Sequence, residues 1–271
     1  MLSPHKTKPI TPEIANLLKR KSEHGKLVHQ SGKCRIYDLG NGILCKQRPM
    51  LPKKYEGATL SYVREHTDIP APKVEAEHLD SWTGVYFLFM EKIPGRTLSE
   101  AWPGMGGLAR EAAADTVAEY ARQLNKLKSN RLESVAHGPL FDKYLFRNED
   151  QPYGPLKSMQ DLYERLASEF RPRLPEDVAR VFHSEMPRSD AFSLCHGNLA
   201  APENVIVDDA GTVVGLVDWE DAGFFPSWWE ATKLAVNGER NGYEWRAMLK
   251  MRLEQHPPAE RFMWRVKAFR G

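Results

Sequence analysis

The sequence lacks the features that mark membrane, secreted or disulfide-rich proteins. Its longest apolar run, Val85 to Met90, is far too short to cross a bilayer. Residues 1–10 contain no apolar core of the length that a signal peptide needs. The three cysteines have neither the spacing of a metal site nor that of a disulfide framework (Cys34, Cys45 and Cys195). We therefore expect a cytoplasmic protein with no membrane partner, in which the cysteines are small buried apolar residues.

Charge and composition also exclude several classes of protein. The chain has 271 residues, of which 38 are basic and 36 acidic, for a formal net charge of +2. No basic stripe stands out, so we expect no nucleic-acid partner. Hydrophobic residues make up 41% of the chain, which indicates a globular rather than a disordered protein. The length suffices for one two-lobed unit with a sizeable core, and nothing in the sequence indicates an oligomeric state.

The most informative segment runs from Ser193 to Asp208 and is followed by Val217-Asp218-Trp219-Glu220. Phosphoryl transfer to a hydroxyl needs a group that accepts or orients the hydroxyl proton, and an Asn and an Asp that hold Mg²⁺ against nucleotide phosphates. The apolar run Phe192 to Cys195 predicts a short strand, after which a loop would present the first two of these groups. This order of residue types indicates the catalytic and metal-binding half of a kinase-like phosphotransferase.

A predicted β-hairpin connects the two candidate metal ligands. Val205-Ile206-Val207 and the run from Val213 to Val217 predict its strands, and the polar residues between them predict its turn. Because a hairpin returns the chain to its starting point, we expect Asn204 at the entry and Asp218 at the exit to lie side by side.

These motifs resemble those of the aminoglycoside phosphotransferase and choline-kinase-like family, and especially its fungal small-molecule branch. That family carries a His-Gly-Asp loop, then an Asn, then Ile-Asp-Trp-Glu. His196-Gly197 matches the loop, Asn204 the metal-binding Asn, and Asp218 the Asp of the last motif. The resemblance extends from residue 26 or so to residue 229. It implies a kinase-like fold, ATP and Mg²⁺ as cofactors, Asn204 and Asp218 as metal ligands, and a small-molecule substrate in the cleft between two lobes.

The sequence departs from the family at two points of the loop. Asn198 stands where the family has its catalytic Asp, and Glu203 stands where the metal-binding Asn is expected, because Asn204 comes one residue later. A neutral amide cannot take a proton, and losing a general base costs about 10²–10⁴-fold in rate. Positioning and electrostatics still carry much of phosphoryl transfer, so weak activity is expected. The altered spacing favours natural divergence over an engineered change. The simpler alternative is that Asn198 only caps the loop.

The first third of the chain predicts a nucleotide lobe. Lys33 to Leu39 and Ile43 to Arg48 have strand composition and are joined at Gly40-Asn41-Gly42, a strong hairpin signal. Lys46 lies on the second strand, where the family has a Lys that pairs with the nucleotide phosphates. A helix is predicted from Glu56 to His66, and Glu56 resembles the acidic residue that the family pairs with that Lys. The alternatives are an ordinary exposed lysine and a solvated glutamate.

The run from Val85 to Met90 has the length and composition of a fully buried strand. We expect the connection between the lobes directly after it. Met90, Glu91 and Ile93 would form a hinge whose backbone N–H and C=O groups contact adenine. The alternative is a plain exit from the strand.

The second part of the chain is predicted to be mainly helical, with helices at Leu108 to Leu127 and Met159 to Phe170. The residues from Arg171 to Glu176 predict a surface connection. The tryptophans of this part either pack in the core, which is their more frequent role, or line a substrate cavity (Trp228, Trp229, Trp245 and Trp264).

The sequence therefore predicts an α+β, protein-kinase-like bilobal fold, with a small lobe of mixed sheet and helix at residues 1–92 and a mostly helical lobe at residues 93–271. Three functions remain open. The first is a weakened ATP- and Mg²⁺-dependent phosphotransferase. The second is a repurposed fold, a cyclase, isomerase or lyase of secondary metabolism, with His196, Glu203, Asp218 and Glu220 as its polar groups. The third is a nucleotide-binding pseudokinase.

Overall fold

The computed structural model describes residues 10–50, 55–142, 145, 153–170, 175–189, 191–236 and 242–270. In chain order the strands are β1 (Lys26–Ser31), β2 (Cys34–Asp38), β3 (Ile43–Pro49), β4 (Val74–Asp80), β5 (Val85–Glu91), β6 (Arg96–Thr97), β7 (Lys128–Ser129), β8 (Phe192–Cys195), β9 (Val205–Val207), β10 (Val213–Leu216) and β11 (Gly223–Pro226). The helices are α1 (Pro12–His24), α2 (Glu56–His66), α3 (Leu98–Ala101), α4 (Gly107–Lys126), α5 (Met159–Phe170), α6 (Glu176–Ser184), α7 (Trp229–Val236), α8 (Tyr243–Lys250) and α9 (Pro257–Arg270).

The first five strands form one sheet in the order β1-β2-β3-β5-β4, and every pairing in it is antiparallel. The predicted hairpin between β2 and β3 is present, and its turn residue Asn41 adopts a positive φ of 48°. Helix α1 begins where Thr11 accepts a hydrogen bond from the amide of Ile14 at 3.3 Å. This helix buries Leu17 against the sheet. The small lobe thus combines a five-stranded antiparallel sheet with helices, and its predicted limit at residue 92 remains a prediction.

The two faces of β5 contribute to different clusters of buried residues. Phe89 packs with Cys45 and Leu17, whereas Leu88 and Met90 belong to the main core, which also contains Leu60 of α2. The prediction of a fully buried strand is wrong for its first half, because Val85 to Phe87 are only partly buried. That half only flanks the two clusters, since Tyr86 packs against the main core and Phe87 against the other cluster as partly buried neighbours. Cys45 and Cys195 are buried as expected, but Cys34 is not.

The remaining strands form two small sheets that carry the functional loop. One has the order β10-β9-β6 and the other β11-β8-β7. Helices pack around them, as the apolar spacing predicted for α4 and α5. Residues 171–174, most of the predicted surface connection, lie outside the described residues, and Glu176 begins α6. Among the described residues no helix is long and apolar enough to cross a membrane.

The tryptophans of the helical lobe divide into two groups. Trp228, Trp229 and Trp245 are buried, whereas Trp264 is 47% exposed on α9. The ring of Trp228 packs edge-on against that of Trp229, with centroids 6.0 Å apart. Packing therefore accounts for the three buried rings, and the exposed Trp264 is not part of that cluster.

Candidate functional site

The candidate site is centred on the ammonium group of Lys46, which is buried with only 3% of its side chain exposed. Its Nζ lies 2.8 Å from Glu56 Oε2, 2.5 Å from Asp218 Oδ1 and 2.9 Å from Glu220 Oε2. The expected ion pair of Lys46 with Glu56 is therefore present. Burial by itself lowers the pKa of Lys46, but the charges of Asp218, Glu56 and Glu220 outweigh it and hold that pKa well above its ordinary value.

The charges of this cluster do not balance. One ammonium faces three carboxylates, so +1 and −3 leave a formal charge of −2. The carboxylate oxygens of Glu56, Asp218 and Glu220 lie within 4.8 Å of one another. Glu56 Oε1 is buried and has no hydrogen-bond partner among the described residues. Burial, only partly offset by Lys46, raises the pKa of Glu56. Such a set of hard oxygen donors suits Mg²⁺, which would supply the missing positive charge.

A buried tryptophan fixes the turn that presents Asp218. Trp219 is fully buried, and its indole N–H donates to the carbonyl of Leu216 at 2.9 Å. Asp218, which comes directly before Trp219, adopts a left-handed backbone conformation with a φ of 63°. A non-glycine residue in that region costs about 1–3 kcal/mol and persists where its surroundings enforce it.

The two candidate metal ligands lie at the two ends of the β9–β10 hairpin, as predicted. The amide of Val217 donates to the carbonyl of Asn204 at 2.9 Å, so Asp218 follows directly after the residue bonded to Asn204. The side-chain Nδ2 of Asn204 donates to the carbonyl of Asn198 at 3.1 Å. A carbonyl can only accept, so the side-chain atom of Asn204 that faces it must be the amide nitrogen. Asn204 Oδ1 then points elsewhere and makes no hydrogen bond in the described part of the chain. This oxygen suits a cation.

Asn198 organises its loop through its backbone rather than its side chain. Its N–H donates to His196 Nδ1 at 3.2 Å, and its carbonyl accepts from the amide of Ala201 at 3.3 Å as well as from Asn204. The side-chain amide of Asn198 is half-buried and makes no hydrogen bond to a described residue. Capping by this side chain therefore does not explain why an Asn is found here, and its amide remains available to a ligand.

His196 is buried, and its two ring nitrogens are both occupied. Its Nε2 donates to the carbonyl of Val217 at 3.1 Å, while Nδ1 accepts from Asn198. Only the neutral ring can donate at one nitrogen and accept at the other, and burial lowers the pKa of His196 accordingly. His196 therefore links the loop to the Asp218 turn, and no ring nitrogen remains for acid–base chemistry on a ligand.

Glu203 is exposed in the short helical turn Pro202–Asn204. That turn accommodates the additional residue of the loop, because the amide of Asn204 still reaches the carbonyl of Ala201 at 3.1 Å. The extra residue therefore lengthens the loop without removing Asn204 from the start of the hairpin.

Within the described part of the chain, most backbone amides of the candidate hinge already donate a hydrogen bond. The amide of Glu91 donates to the carbonyl of Lys73 and that of Lys92 to the carbonyl of Gly42, both at 2.8 Å. Met90 pairs within the sheet. The amide of Ile93 makes no backbone hydrogen bond to a described residue, so its N–H is available to a ligand.

Three residues that support the loop around Asn198, outside the cluster of Lys46, were not found by the sequence reasoning. Glu230 accepts hydrogen bonds from the amides of Gly197 and Leu199 at 2.8 and 3.3 Å. Lys233 pairs with Asp142 at 2.6 Å and donates to the carbonyl of Gly197. The only available signal was the presence of two charged residues, three positions apart, in the apolar segment of α7.

Comparison with known proteins agrees with this geometry. Residues 44–263 match the family model described as "Phosphotransferase enzyme family". No curated protein matches the chain. Among solved structures, aminoglycoside phosphotransferase APH(4)-Ia is similar with a TM-score of 0.61 at 16% identity, over 93% of this chain and 87% of that one. A thermostable mutant of the same enzyme, in a ternary complex with ADP and hygromycin B, has a TM-score of 0.60 at 17% identity, over 94% and 87% of the two chains.

The gentamicin complex of APH(2")-IIa gives a TM-score of 0.61 at 14% identity, over 96% of this chain and 89% of that one. At such low identity these similarities establish the fold alone, and they confirm the predicted α+β, kinase-like bilobal architecture. The family match spans most of the chain and includes Lys46, the loop around Asn198 and Asp218. The chain therefore belongs to the phosphotransferase enzyme family.

Proposed function

We propose that the protein transfers a phosphoryl group from ATP, with Mg²⁺, to a hydroxyl of a small molecule, and that Asn198 keeps its turnover low. The observation that carries the proposal is the contact of buried Lys46 with both Glu56 and Asp218. A family member that had lost nucleotide chemistry would have no need to keep a buried ammonium held by carboxylates from two distant segments. Buried charges of this kind are costly unless they are paired.

The side chains of the site have separate tasks in this proposal. Lys46 holds phosphate oxygens, and Glu56 keeps its ammonium group in place. Asp218 and Asn204 Oδ1, with Glu220 beside them, hold the cation, which neutralises charge on the transferred group. The formal charge of −2 around Lys46 repels phosphates, so we expect nucleotide to bind poorly without Mg²⁺. The amide of Asn198 orients the acceptor hydroxyl by a hydrogen bond but takes no proton from it.

Calorimetric titration with ATP, in the presence and absence of Mg²⁺, tests the binding part of this proposal. We expect binding that requires Mg²⁺ and that Lys46→Met weakens about 10- to 100-fold, the usual effect of losing hydrogen bonds to a charged group. Lys19→Met is the matched control, because Lys19 is 70% exposed and pairs with Glu23 on α1 of the same lobe, away from the candidate site. Equal affinity with and without Mg²⁺, or an unchanged affinity of Lys46→Met, would contradict the proposal.

ATP consumption by the unmodified protein and by Asn198→Asp tests the catalytic part. Hygromycin B and gentamicin, which are bound by two of the similar proteins, belong in the panel of hydroxyl acceptors. A restored carboxylate should raise turnover by about 10²-fold. Robust turnover by the unmodified protein would show that Asn198 does not limit the reaction.

A nucleotide-binding protein without transfer is the second candidate, because neither Asn198 nor His196 can take a proton from an acceptor. It predicts binding of ATP with Mg²⁺ but no transfer by either form. Activity on a substrate without ATP would favour a repurposed cleft instead, although the engaged ring nitrogens of His196 remove one of the groups that such chemistry would use.

A further inference from the structure

We propose that Lys233, held by Asp142, is a positioning residue that fixes the direction in which Asn198 points. This inference rests on the function proposed above, since it assigns Asn198 to the acceptor hydroxyl. It concerns residues of α7 and of the segment before residue 145, neither of which belongs to the candidate nucleotide site.

Every polar group of the two peptide bonds flanking Asn198 has a partner. In the first, Lys233 Nζ donates to the carbonyl of Gly197, and the amide of Asn198 donates to His196. In the second, the carbonyl of Asn198 accepts from Asn204, and the amide of Leu199 donates to Glu230. A peptide bond is planar, so anchoring both of its polar groups fixes the plane. Two fixed planes determine φ and ψ of Asn198 and hence the direction of its Cα–Cβ bond.

Glu230 and Lys233 act on the loop from one helix. They are three residues apart on α7 and therefore lie on the same side of it. Glu230 also accepts from the amide of Gly197 at 2.8 Å. Gly197 is thus held at its N–H by Glu230 and at its carbonyl by Lys233. Its φ of 81° is a conformation that glycine adopts readily, so the loop can follow these anchors without strain.

Asp142 keeps the ammonium of Lys233 in place. The two side chains are 4% and 0% exposed and lie 2.6 Å apart. Asp142 is itself fixed, because its Oδ1 accepts from the amide of Leu145 at 2.9 Å. A buried ion pair contributes little stability compared with a well-packed apolar pair. Stability is therefore not the main effect of this pair, whereas the hydrogen bond from Lys233 gives the Gly197 carbonyl its direction.

The test uses a double variant that leaves no unpaired buried charge, Lys233→Met with Asp142→Asn. Asn at position 142 preserves the acceptor for Leu145, and Met fills the space of the lysine stem. Lys250→Met is the matched control, since Lys250 pairs with Glu260 at 2.7 Å elsewhere in the helical lobe. Both variants are also made in an Asn198→Ala background. For each protein we would measure turnover, KM for ATP and for the acceptor, and hydrogen exchange of residues 194–204.

We expect the Lys233/Asp142 variant to lose about 10-fold or more in turnover with KM for ATP within about two-fold, because a small misplacement of a positioned group is costly. In the Asn198→Ala background it should cause no further loss. Exchange at residues 197–199 should accelerate, whereas Lys250→Met should change none of these quantities. An equal loss in both backgrounds would show a general structural role and overturn the inference, as would unchanged exchange at residues 197–199.

The outcomes separate this inference from the proposed function. If the unmodified protein transfers no phosphoryl group, the proposed function fails, and the exchange measurement alone decides whether Lys233 and Asp142 hold the loop. If transfer occurs and the double variant keeps full turnover, the proposed function stands and the positioning role is refuted. Lys233→Arg, which retains the cation, should recover part of the turnover that Lys233→Met loses.

Discussion

Removing the ammonium of Lys46 should destabilise the protein chiefly through Glu56. The Glu56 side chain is 1% exposed, so Lys46→Met leaves a buried carboxylate without a counter-charge. Breaking a buried pair by removing one partner costs about 3–5 kcal/mol. Asp218 and Glu220 are 40% and 26% exposed, so solvent screens their charges and their loss of a partner adds little. With a urea m-value of about 2–3 kcal/mol/M, the unfolding midpoint should fall by roughly 1 to 2.5 M.

The dependence of this loss on pH follows from Glu56. Burial raises the pKa of Glu56 above its unfolded value of about 4.3, although the positive charge of Lys46 opposes this rise. In Lys46→Met that charge is absent, so the pKa of Glu56 rises further. A carboxyl with a raised folded pKa is most favourable to the folded state below its unfolded pKa. That contribution is lost as pH rises through the folded pKa. Lys46→Met should therefore be closer in stability to the unmodified protein at pH 5 than at pH 7.

Urea unfolding, followed by circular dichroism at both pH values, measures these effects. The double variant Lys46→Met with Glu56→Leu carries no buried unpaired charge and should recover to within about 1–2 kcal/mol of the unmodified protein. It should still bind ATP about 10- to 100-fold more weakly than the unmodified protein, as Lys46→Met alone does, so the effects on stability and on binding separate. A single variant that loses less than about 1 kcal/mol, or a double variant as unstable as the single one, would refute the reasoning.

Three further predictions concern the supports of the site. Gly197→Ala should destabilise the loop by about 1–3 kcal/mol and lower turnover, because a Cβ there meets the backbone oxygen of Asp221 in a left-handed conformation; urea unfolding and an ATP-consumption assay measure both. Gly57→Ala would place a Cβ against the Glu77 carboxylate, the far end of an exposed and flexible side chain. That side chain should turn away and leave α2 in place, so titration should show the same ATP affinity as Gly104→Ala, which meets nothing within 4 Å. His196 is buried with a lowered pKa, so stability should fall as pH drops below about 6.5, where the unfolded chain gains the proton. His196→Gln should flatten that slope in urea unfolding, and an unchanged slope would show that other groups cause it.

The sequence alone predicted the elements whose signals are local. The helix from Glu56 to His66 and the β9–β10 hairpin lie where turn residues and apolar runs indicated them. These signals succeed because capping, hairpin turns and strand composition act over a few neighbouring residues. The pairing of Lys46 with Glu56 followed from the same elements together with the family resemblance.

Only the tertiary structure determined which charged groups meet. Lys46 and Asp218 are 172 positions apart, and the arrival of Glu220 at the same ammonium depends on the turn that buried Trp219 enforces. Two charged residues, Glu230 and Lys233, stand out in an apolar segment of the sequence, but only the structure shows that they hold the loop around Asn198. Such contacts arise when separate helices and sheets pack, and packing depends on the sum of many weak apolar contacts along the whole chain. The sequence therefore identifies the residue types of the site, but the tertiary structure determines which of them contact one another.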